Sequence, residues 1–455
     1  MEKTVYDYID KNIDSFIKPL EKLISVASEK AAPCDGAPYG KKCREALDVA
    51  KEICEADGYS CRIIDDRMLE ADWGETEETP EIGVLCHLDV VPAGEGWDSD
   101  PYTLTLRDGK MFGRGTSDDK GPAAAVLAAI SSLRACGYKP KRSLRILFGS
   151  DEEHGGSDLA YYREVRKLPR RVFTPDAEYP VINIEKGLSG FSYKADYLPK
   201  DRGCSYIRAG ISGNAVPQKA EARFFGYDRS DIKKAFSGCD IKEENGEFNI
   251  TVSGRSAHAS KPDGGDNALT KLISKAASLP GIETDIFRGL ARLFPYNVND
   301  GSGLSIDASD EKSGALTCVL SICDLKDGKM SLGFDIRYPC CVRFADLSRE
   351  IEYAMDTAGF VKAGEHGLDP HETDAEDPFV KTLLEAYTEV TGEKAYPVAI
   401  GGGTYVHTIE GGVAFGAEFP WEDPNMHGVN EYMSLKAFAL NVKIFAVAVY
   451  SLCCK

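Results

Sequence analysis

No run of 18 or more consecutive apolar residues occurs in this chain of 455 residues, so no segment reads as a membrane span. The C-terminal "AFALNVKIFAVAVYSLCCK" comes closest. Asn441 and Lys443 interrupt it, and a buried terminal helix is the expectation. Positive charge is in short supply: 54 Lys and Arg stand against 73 Asp and Glu, a net charge of -19. That balance speaks against nucleic acid or an anionic membrane as partner, since both need a basic surface. The 14 cysteines contain no Cys-x-x-Cys and no regular framework. The opening "MEKTVYDYIDKNID" is charged and amphipathic and so unlike an export signal. Reduced thiols and a cytoplasmic location are therefore expected. Internal repeats and low-complexity tracts are also missing.

What is present is an ordinary globular composition in a chain too long for one core, so two or three domains are expected. The first 60 residues read as helical, with apolar residues at spacings of three and four: Val5, Ile9, Ile13, Phe16, Leu20, Leu23 and Ile24. A second helix is expected to run to about Asp57, with Gly58 as its stop. Strands and helices then alternate. "GVLCHLDVV" reads as one strand, "YTLTLRDGKMFGRG" as a hairpin turning at Asp108-Gly109, and "GPAAAVLAAISSLRACG" as a helix. "SLRILFGS" and "RRVFTPD" read as further strands. This order predicts an α/β layer with a mainly parallel central sheet. From Gly187 alternating strands dominate, as in "GLSGFSYKADYL", "KAEARFF", "EFNITVSG" and "MSLGFDIRYP", and a separate α+β domain is expected. The acidic, Pro-containing "EHGLDPHETDAEDP" reads as a linker. A helix, the Gly-rich turn "GGGTY", the strand "GGVAFGAEF" and the terminal helix follow.

Polar residues stand where this pattern calls for apolar ones. His87 and Asp89 sit two apart in an apolar strand, so they are expected to share a face. A carboxylate taking the second ring N–H of a metal-bound histidine is one physical reason for that pairing; a satisfied core histidine is the other. Cys86 between its neighbours should face the packing side. Asp118 and Asp119 in "GRGTSDDKGP", Glu152 and Glu153 in "ILFGSDEEHGGS", Asp176 in "VFTPDAEYP" and His427 in "PNMHGVNEY" fall at strand ends or in turns. Singly, each has a plain structural reading, as a helix N-cap, a solvated turn or a surface histidine. Together they suit one or two divalent ions, because sites in open α/β sheets lie beyond the carboxyl ends of the strands. Mixed His and carboxylate donors fit zinc, and also manganese or cobalt.

The series "HLD", "GRGTSDDKGP", "DEEHGGSD", "PDAEYP", "GRSAHASKP" and "MHGVNE" resembles the M20 family of metallopeptidases. The phrases "HLDVVPAGEGWDSDPYTL", "TPDAEYPVINIEKG", "GNAVPQKAEARF" and "GGGTY" are closest to the bacterial dipeptidase V branch of carnosinase-like enzymes. The resemblance spans nearly the whole chain. It implies a catalytic domain made of residues 1–186 and 374–455, and an inserted lid over 187–373. It implies that His87 and Asp176 each bind one ion, that Asp118 bridges the two, and that Glu153 and His427 complete the second. Asp89 would orient His87. A cis peptide would join Asp118 to Asp119. Glu152 would be the general base for a water bridging two ions, with Zn2+ the expected metal.

In the second domain, His258 resembles the lid histidine that stabilises the oxyanion. Arg337 and Asn214 resemble lid residues that contact substrate, Arg337 gripping the substrate's carboxylate. Alternation in "MSLGFDIRYP" puts Phe334 and Ile336 inward and Asp335 with Arg337 on the other face. His407 stands where the family often has Arg, which bears on substrate preference. The large lid implies a monomer, with a homodimer as the alternative. The activity implied is a dinuclear dipeptidase. An N-acyl-amino-acid deacylase of the same type, or a non-catalytic metal-binding protein, are the alternatives.

Overall fold

A computed structural model describes residues 3–281 and 285–455. The chain separates into two compact units. The first runs to Asn183 and returns as Glu372–Val398 and Thr404–Lys455; the second is Ile184–His371 together with Ala399–Gly403.

In the first unit, helix α1 (Lys3–Ile24) buries Val5, Ile9, Phe16, Leu20, Leu23 and Ile24 along one face, as the apolar spacing predicts; Ile17 joins them and Ile13 is only partly buried. Helix α2 (Lys41–Ala56) stops at Gly58, whose φ of 80° is left-handed and suits glycine. Strands β1 (Ser60–Ile64), β2 (Met68–Trp73) and β3 (Ile82–His87) follow. The hairpin β4 (Thr105–Arg107) and β5 (Lys110–Phe112) turns through Asp108 and Gly109, both at positive φ, as a two-residue turn of the mirror-image kind requires. Helix α3 (Lys120–Ala135), strand β6 (Leu144–Gly149), helix α4 (Ser157–Val165) and strand β7 (Arg171–Thr174) complete the run.

The main sheet has the order β1-β2-β6-β3-β7, followed by the short strand Val413–Ala414 and then Val181–Glu185. β6, β3, β7 and Val413–Ala414 are parallel neighbours; β1, β2 and Val181–Glu185 flank them antiparallel. Every residue of β3 and β6 is buried, as a parallel centre covered on both faces demands. α3 is buried nearly all round, which its alanines allow. The helix Leu435–Val449 and the π turn Tyr450–Cys454 are long and apolar enough to cross a membrane, but 72% of the apolar stretch is buried against this core.

Because β3, β6 and β7 run parallel, their carboxyl ends open on one edge of the sheet. β3 stops at His87 and does not continue to Val91. Beyond it, the Leu88 N–H goes to Gly149 O and the Val90 N–H to Ser28 O, so the backbone leaves the ladder for the loop after α1. The "GGVAFGAEF" stretch is likewise two short strands, Val413–Ala414 and Ala417–Glu418, with a cis Gly416-Ala417 peptide between them.

The second unit is an eight-stranded sheet, antiparallel throughout: Asp240–Glu244, Glu247–Ser253, Lys219–Phe225, Gly203–Ala209, Thr317–Lys326, Lys329–Tyr338, Gly187–Asp196, Val361–Leu368. The helices Ala268–Ala276, Asp285–Leu293 and Phe344–Thr357 share a core with it. The strand Val361–Leu368 takes in Glu365 to Leu368, residues whose composition reads as a linker. It is mostly exposed and pairs on one side only, which explains its polar sequence. Ala399–Gly403 groups with this unit because Lys186 N–H bonds Ile400 O and Arg337 Nη1 bonds Gly401 O.

Candidate metal centre

The parallel strand ends bring His87, the Glu152-Glu153 turn and Asp176 to one edge of the first unit. His87 is fully buried. Its Nε2 lies 2.8 Å from Asp118 Oδ1 and 3.6 Å from Asp176 Oδ2. The other oxygen of Asp118, Oδ2, lies 2.7 Å from His427 Nε2, and that nitrogen lies 3.2 Å from Glu153 Oε1. Asp118 thus shows one oxygen to each histidine. Donor atoms of His87, Glu152 and Asp176 fall within 4.8 Å of one another, and so do those of Asp118, Glu153 and His427.

Nδ1 of His87 lies 3.0 Å from the main-chain oxygen of Asp89 and 3.5 Å from its carboxylate. The main chain is therefore the nearer partner. The Asp89 carboxylate chiefly accepts the N–H groups of Glu152 and Glu153, each at 3.1 Å, and so anchors the turn that carries both acids. Asp119, joined to Asp118 by a cis peptide, accepts the His87 N–H at 3.0 Å. Cys86 is buried in the hydrophobic core.

The electrostatics are those of an anionic cluster short of cations. Burial, followed by the neighbouring Asp118 charge, pushes Asp176 up to about 7. Burial also drives Glu152 and Asp119 well above the usual carboxylate range. Bonds to Asp118 and then Glu153 raise His427 to about 10. Burial alone would lower His87, but its bonds to Asp118 and Asp89 outweigh it and the net shift is upward. Glu153 Oε1 is buried, with the His427 imidazole at 3.2 Å as its polar neighbour. Such a donor set, two imidazoles and four carboxylates gathered at one edge of the sheet, fits divalent cations.

Three neighbours escaped the sequence reading. Asp158 Oδ2 accepts Ser150 N–H, Asp151 N–H and the Tyr405 hydroxyl, the last at 2.6 Å, and so secures the same acidic turn. Glu431 is a completely buried carboxylate four residues beyond His427. Glu418, pushed up to about 8 by burial and then by Asp118 and Asp176, accepts from the Ser117 hydroxyl. His407 is buried in the turn after Thr404.

In the second unit, His258 Nδ1 lies 2.7 Å from Ser260 Oγ and accepts the Ser260 N–H at 3.2 Å. That leaves Nε2 as the donor nitrogen. Asn214 is tied to the same strand end, its main-chain oxygen accepting Ala259 N–H. Asp335 and Arg337 do share a face, and the consequence is a pairing: Nε and Nη2 of Arg337 hold the two Asp335 oxygens at 2.8 and 2.9 Å, and Nη1 holds Gly401 O at 2.9 Å. The fork expected to be open is taken up by Asp335. Asn214, Asp335 and Arg337 line a trough of about 710 Å³ with Ser189 and His366.

The family model described as Peptidase family M20/M25/M40 matches residues 83–451. The chain belongs to this peptidase family. A Beta-Ala-Xaa dipeptidase of Lactobacillus delbrueckii subsp. lactis is 33% identical over 458 residues, with 96% of each chain covered. Among solved structures, human carnosine dipeptidase 1 is similar in fold at a TM-score of 0.63 and 16% identity, over 98% of each chain. An aminoacylhistidine dipeptidase from Vibrio alginolyticus aligns at a TM-score of 0.56 and 12% identity, over 96% of each chain. This M20 protein is a metallopeptidase, a hydrolase whose relatives include dipeptidases, and metallopeptidases of the family use divalent metals.

Proposed function

We propose that this M20 enzyme is a dinuclear dipeptidase that cleaves dipeptides with a free C-terminal carboxylate. The observation that carries the reading is Asp118, with one oxygen on each histidine and a donor group gathered on either side. His87 and Asp176 would hold one ion, Glu153 and His427 the other, and Asp118 both. Zinc is our choice, with manganese or cobalt as alternatives. Divalent ions held there supply Lewis acidity toward water and the peptide carbonyl.

The remaining chemistry belongs to the side chains. Glu152 takes the proton of the attacking water at its carboxylate and delivers it to the leaving amine. The Asp89 carboxylate, bonded to the Glu152 and Glu153 N–H groups, holds that shuttle in place. His258, with Nδ1 engaged by Ser260, offers its Nε2–H to the carbonyl oxygen as charge develops there. Asn214 and the remaining Nη hydrogens of Arg337 bind the substrate carboxylate. The residues of the second unit, in this reading, serve as a lid.

The 14 cysteines, none of them in a disulfide, support a reducing, cytoplasmic setting. We take the working form to be a monomer. The test is metal analysis of the purified protein together with turnover of a panel of free dipeptides and N-acylated amino acids. Two ions per chain and preference for free dipeptides are expected. Preference for acylated amino acids would replace the dipeptidase by a deacylase.

A further inference from the structure

Arg114 and Glu431 belong to the motifs that carry Asp118 and His427, yet neither has a part in the chemistry above. Their side chains are buried, 1% exposed each, and meet at 2.6 Å between Nη1 and Oε2. Glu431 Oε1 accepts three main-chain N–H groups of the loop that ends on Asp118: Gly115 at 3.0 Å, Ser117 at 2.8 Å and Asp118 itself at 3.3 Å. Nη2 of Arg114 reaches the other way. It donates to the main-chain oxygens of His427 and Gly428, both at 3.2 Å, and to Pro92 O at 3.4 Å. The guanidinium also lies 5.4 Å from the centre of the Trp97 ring.

Stability does not account for this arrangement. A buried ion pair replaced by well-packed apolar residues is often neutral or better for stability. Apart from the bond within the pair and one to Pro92 O, its bonds end on the main chain of the two loops that present Asp118 and His427. His427 itself has a φ of 60°, a left-handed backbone that a non-glycine residue holds only when its surroundings fix it. The carbonyl of that strained residue is one that Arg114 grips.

We propose that the buried Arg114–Glu431 pair is a positioning clamp. It sets Asp118 and His427 at the spacing one ion needs, and so determines the affinity of the Asp118, Glu153 and His427 group for that ion. The inference rests on the metal reading above. Residues that orient metal ligands typically contribute about 10–100-fold in affinity.

The experiment is chelator-competition titration of the metal-free protein with zinc, alongside thermal unfolding of the same metal-free samples. Glu431→Gln keeps the shape and removes the charge. Arg114→Lys keeps the charge and loses the fork, and it decides the matter if Glu431→Gln does not fold. Arg145→Met is the control: Arg145 is an equally buried partner of Asp72, at the far end of β6 from the acidic turn. The clamp predicts that the clamp variants bind one of the two zinc ions about 10–100-fold more weakly, while Arg145→Met lowers the unfolding temperature and leaves both affinities alone. Folded clamp variants whose two zinc affinities match the unsubstituted chain overturn the proposal and leave the metal reading standing. An unsubstituted chain that binds no divalent ion defeats both.

Discussion

Asp118 and Glu152 make opposite demands on a substitution. Asp118 stands between both histidines, so Asp118→Ala should lower the content of both ions in the purified protein and abolish turnover. Retention of two tightly held ions would remove Asp118 from the centre. Glu152→Gln keeps the volume and a donor oxygen but cannot take a proton. Turnover should fall by about 10²–10⁴-fold or more with metal content intact. A variant that is fully active, or that has lost its metal, would refute the base. Protons and cations also compete here. Without metal, bonds to Asp118 and Glu153 hold His427 protonated up to about pH 10, so loading at pH 7 must expel that proton. Calorimetric titration in two buffers of different ionisation enthalpy should show proton release, and affinity should climb as pH rises toward 10. For the metal-free protein the same group stabilises the fold fully below its unfolded value of about 6.5, and that stabilisation is lost as pH rises through about 10.

Each ligand hangs on a short turn, and the turn after β6 has little room. A Cβ built on Gly149 would lie 2.1 Å from the Tyr405 hydroxyl and 2.7 Å from Asp158 Oδ2. Gly149→Ala should therefore push apart the pair that secures the acidic turn, costing about 1–3 kcal/mol in unfolding free energy and depressing kcat. Equal stability and activity would show that the turn does not depend on that pair. This also shows where the sequence was legible. Apolar strands ending in acids could be read because burial writes a continuous apolar run, and the Asp108-Gly109 turn because positive φ selects those residues. The exposed edge strand Val361–Leu368 was not legible, since one-sided pairing leaves a polar sequence no different from a linker. Nor was the end of β3 at His87, which is set by a carbonyl of residue 28. Glu431 and Asp158 bond mainly to main-chain N–H groups, and such partners leave no mark in any side-chain pattern. The Arg337–Asp335 pairing was visible as a shared face, but its effect on the free fork was not.

For the enzyme as a whole, the proposed role of Arg337 is tested by substrate length. With Nε and Nη2 committed to Asp335 and one bond of Nη1 to Gly401, the guanidinium is fixed and keeps few free hydrogens. A fixed, partly satisfied cation discriminates through what it leaves unpaired. Free dipeptides should be turned over well, and C-amidated dipeptides or tetrapeptides little or not at all. Arg337→Ala should lower kcat/KM for free dipeptides and narrow that gap. Equal kcat/KM for free and amidated dipeptides in the unsubstituted enzyme would dismiss the carboxylate contact.

Asp118 and His427 are 309 positions apart along the chain yet lie within hydrogen-bond distance. A ribosome adding about 5–20 residues per second needs about 15–60 s to travel from one to the other. Throughout that interval the growing chain carries His87, Asp118 and, in turn, Glu152, Glu153 and Asp176, but not the second imidazole. On the proposed ligand set, the second imidazole joins the chain only when position 427 is made, and a product truncated before that position would lack it.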